Sequence, residues 1–299
     1  MYKRGCTDTA MVKLIQEALG IKQDGDFGPR TEAAVINFQR DNHLVADGIV
    51  GEKTLDLLGI LDTDLRMHTS FIDKNVTITK HYLSPGEYKR NSDNTPIQNN
   101  YLFLHHTAGW YSPINTIDDW NRDNRGAIGT EFVIGGSDFI TGNTIHNGSI
   151  VQAFPTGCQA WHLGKVGSIF MSKHSVGIEV CNMGQLTDKY KTYTGITVPK
   201  DYVTTLNKPF RGYTNWHTYT DEQLYALKKL IYFVADRDNI DIRRGVQKWL
   251  LEGGSEKAFA FNEAAYKGEI HGLLLHCNVR KDKVDMSPQP NLIDMLLSL

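Results

Sequence analysis

The chain has 299 residues, 40% hydrophobic and 22% charged, with a formal net charge of −2. That balance suits one large and one small domain with a well-filled core, and it gives no electrostatic reason to expect nucleic acid or a membrane surface as partner. Cys6, Cys158, Cys181 and Cys277 are scattered and read as thiols. The N-terminus MYKRGCTDTA lacks the apolar core of a secretory signal, and no run of about 18 apolar residues is available to cross a bilayer. The expectation is a monomer made in a reducing cytoplasm.

Residues 11–60 repeat themselves. DGDFGPRT at 24–31 and DGIVGEKT at 47–54 share the frame D-G-x-[FV]-G-x-x-T, each after a helical apolar pattern: Val12, Ile15 and Leu19, then Val35, Phe38 and Leu44. Each Asp-Gly supplies a turn that needs φ > 0, and Pro29 suits the first turn of a helix. Three short helices with two equivalent loops follow. His43 is isolated in a polar turn and reads as a surface residue. The stretch 12–58 resembles the peptidoglycan-binding module of many cell-wall hydrolases, which implies bacterial peptidoglycan as its ligand. Its boundaries are set at 1–61, with a linker at 62–75 where periodicity is lost.

From residue 76 the pattern changes. VTITKHY at 76–82 alternates as an edge strand, and 101–104 reads as a buried strand delivering His105 at its C-terminal end. A short helix at 114–121 is followed by strands at 130–135, 150–154 and 175–181. Thr220 and Gln223 form a capping box for a helix whose face is Leu224, Leu227, Ile231 and Val234. Residues 272–275 form another strand, and the aromatic segment 190–219 either covers a cleft or packs on the sheet. The fold class is α/β: a mixed central sheet flanked by helices over 76–299, plus the small three-helix domain.

HHTAG at 105–109, TEFVIGG, IVQAFPTGCQAWHLG, SVGIEVCNMG and a late H…K-x-D occur in the order seen in zinc-dependent N-acetylmuramoyl-L-alanine amidases. This family includes amidase-type bacteriophage lysozymes and peptidoglycan recognition proteins, and the resemblance runs over 77–299. It implies Zn²⁺ held by His105, His276 and Asp285, with Cys277 and His271 as rivals. His106, adjacent on a strand, faces the other way and has a structural role. Lys283 matches the family lysine that stabilises an oxyanion, Lys281 being its rival by loop length. Glu179, a carboxylate in an otherwise apolar strand, matches the general base of one branch; Glu131 is the alternative. Thr130 and Glu131 stand where many relatives carry Tyr-His, which argues against a tyrosine-assisted mechanism. Together with His162 and Asn182 they are expected along the substrate cleft.

The implied reaction is hydrolysis of the amide between N-acetylmuramic acid and L-alanine of the stem peptide. The pairing of domains, with no signal, is that of an endolysin made in the host cytoplasm that acts on the wall after release. A non-catalytic recognition protein, a zinc stem-peptide endopeptidase and a virion-associated lysin are the alternatives.

Overall fold

The computed structural model describes residues 2–6, 9–42, 44–58, 60, 76–91 and 95–299; the 62–75 linker and His43 lie outside them. Contacts divide the chain into units 1–74 and 75–299. Among the described residues no helix is long and apolar enough to cross a membrane.

The first unit holds helices α1 (Thr9–Ala18), α2 (Pro29–Asp41) and α3 (Glu52–Leu57). Met11, Val12, Ile15, Phe27, Val35 and Val50 form its core, and Pro29 opens α2 as the repeat implies. Gly25 and Gly48 adopt φ of +77° and +73°, the left-handed turn each Asp-Gly demands. Phe38 is only half-buried, and its neighbour Gln39 takes the interior place. The reason lies in a second layer of the repeat. Gln16 Nε2 donates to Asp24 Oδ1 at 2.7 Å, Asp26 O at 3.0 Å and Thr31 Oγ1 at 3.0 Å, while its Oε1 accepts from the Gly25 N–H at 2.8 Å. Gln39 does the same for the second loop, reaching Asp47, the Ile49 carbonyl, Thr54 and the Gly48 N–H. One buried amide thus satisfies each loop from inside, so the full repeat begins eight residues before the aspartate.

In the second unit the chain runs β1 (Ile78–Lys80), β2 (Tyr101–His106), α4 (Pro113–Asn121), β3 (Phe132–Ile134), β4 (Ile150–Gln152), α5 (Ile169–Lys173) and β5 (Ser175–Val180). A small sheet of β6 (Gln185–Leu186), β7 (Val203–Phe210) and β8 (Tyr213–His217) comes next. Helices α6 (Asp221–Asp238), α7 (Val246–Ala258) and α8 (Glu263–Tyr266) lead to β9 (Gly272–Leu275), α9 (His276–Val279) and α10 (Pro290–Leu297). The main sheet has the order β1-β4-β3-β5-β2-β9, parallel except for the β3–β4 pair. Every residue of β2 is buried, as befits an inner strand covered on both faces. Thr220 and Gln223 close the capping box of α6, and Leu224, Leu227, Ile231 and Val234 are buried along it.

Much of the aromatic segment 190–219 forms strands of the antiparallel order β6-β8-β7, and it packs on the main sheet where Trp216 and Tyr219 lie against His106 of β2. Trp216 and Tyr219 are fully buried, while Tyr193 stays exposed.

Replacing Gln16 with Ala strands the Gly25 N–H and the polar groups around it. It is expected to destabilise the first unit by about 2–4 kcal/mol. Urea unfolding of the full chain, followed through amide signals of residues 12–58, measures this, and an unchanged midpoint would refute the scaffold role of the buried amide.

Candidate metal centre

Three parallel strands end side by side. Their register pairs His105 on β2 with Glu179 on β5, and Leu104 with Leu275, the last residue of β9. His276, the next residue, therefore stands level with His105, and a row Glu179–His105–His276 crosses the carboxyl end of the sheet. The chain then makes the single turn α9 and returns, with the Cys277 N–H donating to the Asp285 carbonyl at 3.0 Å. Asp285 is thereby brought back beside the histidine that precedes the turn.

His105 Nδ1 lies 3.0 Å from His276 Nδ1 and 3.1 Å from Asp285 Oδ2, and His276 Nδ1 lies 2.9 Å from the same oxygen. The side chains are buried, with residue exposures of 2%, 5% and 7%. Among the described residues this is the group of histidine, cysteine and carboxylate side chains whose ligand atoms converge. Two imidazoles and a carboxylate form a usual zinc donor set, and a point about 2.1 Å from all three atoms, the ordinary zinc–nitrogen and zinc–oxygen distance, exists above such a triangle. The donor set fits the metal.

Outer contacts orient the rings. His276 Nε2 faces the Leu163 carbonyl at 3.3 Å; a carbonyl only accepts, so this nitrogen carries the proton and Nδ1 keeps its lone pair. His105 Nε2 lies 2.9 Å from His162 Nδ1, and His162 Nε2 lies 2.9 Å from Ser175 Oγ, giving His105 the same support through one more ring. Burial, reinforced by the neighbouring His276, lowers the His105 pKa to about 4. Burial likewise brings His162 well below its ordinary value. Neutral imidazole is the form a metal ligand needs. Burial works against ionisation of Asp285, but the adjacent His276 and His105 outweigh it and hold the carboxyl well below the usual range.

The half-buried Glu179 stands in the row with no hydrogen-bond partner for its side chain among the described residues. Burial pushes its pKa up to about 8, Asp285 adds to the rise, and Lys283 opposes it. The half-buried Lys283 lies near enough for its charge to act on Glu179, His105 and His106 alike. Lys281 lies elsewhere, its ammonium 4.7 Å from the centre of the Phe261 ring. His271 is exposed at the opposite end of β9, its ring against Tyr101 at 4.9 Å. His106 turns to the other face, where its Nδ1 meets the Tyr219 hydroxyl at 2.8 Å.

Cys277 is not in the converging set, though strand alternation is not the reason. Pairing stops at Leu275, Cys277 is helical, and burial raises its thiol far above the ordinary value, away from the thiolate a metal needs.

Three of the residues expected along the cleft are buried and engaged within the fold. Glu131 is 2% exposed and accepts from Arg237 Nη1 at 2.6 Å and Nη2 at 2.9 Å, and also from Gln152 and Thr156. Its charge is spent in an ion pair with α6. Asn182, 1% exposed, donates to the carbonyls of His217 and Thr218 and accepts from the Gly184 N–H, which leaves its amide engaged in backbone. Thr130 is buried and donates to the Phe132 carbonyl at 2.9 Å. His162, half-exposed, hydrogen-bonds His105. The glycine of SVGIEVC makes room for it: a Cβ on Gly177 would lie 2.6 Å from Thr130 Cγ2 and 3.0 Å from His162 Nδ1. Ser175, which opens the SVGIEVCNMG motif, and Arg280, which donates to the Leu163 carbonyl at 3.2 Å, have no sequence signal of their own that marks them as support for the histidines.

Comparison with known proteins places this geometry. Residues 10–58 match the peptidoglycan binding domain family. Residues 93–285, more than half of the chain, match the family described as N-acetylmuramoyl-L-alanine amidase. No curated protein matches the chain. Among solved structures it is similar to the catalytic domain of XlyA, at 12% identity and a TM-score of 0.39, over 75% of this chain and 98% of that one. It is also similar to the N-acetylmuramoyl-L-alanine amidase LysC from Clostridium intestinale URNW, at 14% identity and a TM-score of 0.37, over 74% and 95% of the two chains. The endolysin amidase LysCS from the same organism matches at 14% identity and a TM-score of 0.35, over 70% and 85%. The chain belongs to the N-acetylmuramoyl-L-alanine amidase family and joins its amidase domain to a peptidoglycan-binding domain.

Proposed function

We propose that the chain hydrolyses the amide between the lactyl group of N-acetylmuramic acid and L-alanine of the stem peptide, with zinc held by His105, His276 and Asp285. The observation that carries this reading is the convergence of three buried ligand atoms within 3.1 Å, level with a half-buried glutamate whose side chain has no hydrogen-bond partner among the described residues. Bound there, zinc supplies Lewis acidity and brings the pKa of a water from 15.7 towards about 7. Glu179 takes the proton of the attacking water and passes it to the departing amine of L-alanine. A carboxyl pushed up to about 8 holds a proton readily enough to deliver it to the leaving amine. The Lys283 ammonium stabilises the oxyanion that develops on the scissile carbonyl. His162 and the Leu163 carbonyl keep the ligand rings turned correctly. The N-terminal domain holds the enzyme on its insoluble substrate and raises local concentration. The pairing of these two domains supports action as an endolysin, made inside a bacterial host and released to the wall.

Mass spectrometry of digested peptidoglycan tests the bond: stem peptides with a free L-alanine amine are expected, whereas cut peptides still attached to muramic acid would exclude this amidase. Either His105→Ala or Asp285→Asn is expected to abolish zinc uptake and activity, and full metal stoichiometry in both would show the ligand set to be wrong.

The two glutamates separate by different readouts. Glu179→Gln is expected to keep zinc and lose turnover by about 10²–10⁴-fold. Glu131→Gln leaves the half-buried Arg237 with Asp238 as its remaining charge partner and is expected to cost about 1–3 kcal/mol of stability with catalysis retained in the folded protein. The reverse pattern in kinetics and urea unfolding would hand the base role to Glu131.

A further inference from the structure

The hairpin of β7 and β8 ends in a two-residue turn, Arg211-Gly212, between the paired residues Phe210 and Tyr213. Both turn residues have positive φ, +52° for Arg211 and +87° for Gly212, as a type I′ turn requires. Asparagine, aspartate and glycine take the first of these positions readily; arginine does so at a conformational cost, and such strain persists where something else holds it.

What holds it is the loop between two proposed zinc ligands. Arg211 Nη1 donates to the Lys281 carbonyl, and Nη2 donates to the Cys277 carbonyl at 3.2 Å. Cys277 directly follows His276, and Lys281 lies four residues before Asp285. The guanidinium therefore spans the loop that must bring residue 285 back to residue 276. The hairpin is itself anchored. Phe210 meets Phe259 edge-on at 6.1 Å and Trp216 at 5.8 Å, Trp216 is fully buried, and the Arg211 guanidinium lies 5.7 Å from the Phe210 ring centre. Gly212 and Tyr213 are exposed, so burial of the tip does not explain the choice of residue.

We propose that Arg211 is a positioning residue for the metal centre, a clamp that sets the separation and orientation of His276 and Asp285 by fixing two backbone carbonyls between them. The proposal rests on the reading of His105, His276 and Asp285 as the zinc site. It assigns the small sheet a task beyond covering the domain: carrying a rigid donor to the ligand loop from outside it.

Arg211→Asn separates this role from hairpin stability. Asn-Gly is a preferred type I′ turn, so the hairpin is kept or strengthened while the short amide loses the carbonyls. Zinc affinity of the full chain, measured by chelator competition, is expected to fall by about 10-fold or more, the scale of lost outer-shell support, with the thermal stability of the zinc-free protein not lowered. Arg211→Lys, which retains charge and one donor group, is expected to lie between the two. If the asparagine variant loses its fold, the lysine variant decides by the same comparison. Zinc affinity within twofold of the unsubstituted chain would overturn the clamp alone, and failure of the unsubstituted chain to bind zinc would overturn the metal site on which it rests.

Discussion

Two imidazole nitrogens and a carboxylate oxygen confined within 3.1 Å are the constraint on which the second unit depends. Burying an ionised aspartate is expensive unless partners answer its charge, and burying imidazole favours the neutral ring. Both costs are accepted here in one place. The sheet supplies the position: parallel strands in register end at one level, so side chains from β5, β2 and the end of β9 meet without any long excursion. The α9 turn then returns a carboxylate through a short loop. Outer contacts do the remaining work by giving each ligand ring a partner on its far nitrogen.

The same physical device recurs in the first unit, where Gln16 and Gln39 each fill the space inside a loop and satisfy its polar groups. A buried amide with donor and acceptor in fixed relation is a template for the turn around it. This explains why a repeat seen as glycines and aspartates has its centre at a glutamine outside the visible frame. Gly25 and Gly48 answer only half of each turn; the rest is held from within.

Much of this was legible in the amino-acid order because the informative residues are close in sequence or constrained in pattern. The strands around 101–106, 175–180 and 272–275 are short apolar runs with no competing period, and Thr220 with Gln223 marks the start of α6 directly. Tertiary partners were not legible. Glu131, Asn182 and Thr130 were placed on the cleft because their motifs border it, yet motif adjacency does not tell which way a side chain turns. Arg237 lies 106 residues from Glu131 in sequence, and no local signal links them. The β7–β8 hairpin was missed because Arg-Gly is an uncommon first choice for its turn and Pro209 weakens the strand reading.

Glu131 and Glu179 show how far environment decides the role of identical side chains. Both carboxylates belong to neighbouring stretches of one sheet. Glu131 receives a bidentate guanidinium that itself lies against the rings of Phe132 and Phe233, so its charge is neutralised and its lone pairs are occupied. Glu179 receives no such partner; Asp285 nearby makes ionisation harder, and Lys283 relieves it only in part. A base must keep a free lone pair for the proton it takes, and only the second environment leaves one. The arginine on α6 is therefore part of the reason Glu179, and not Glu131, is the proposed base.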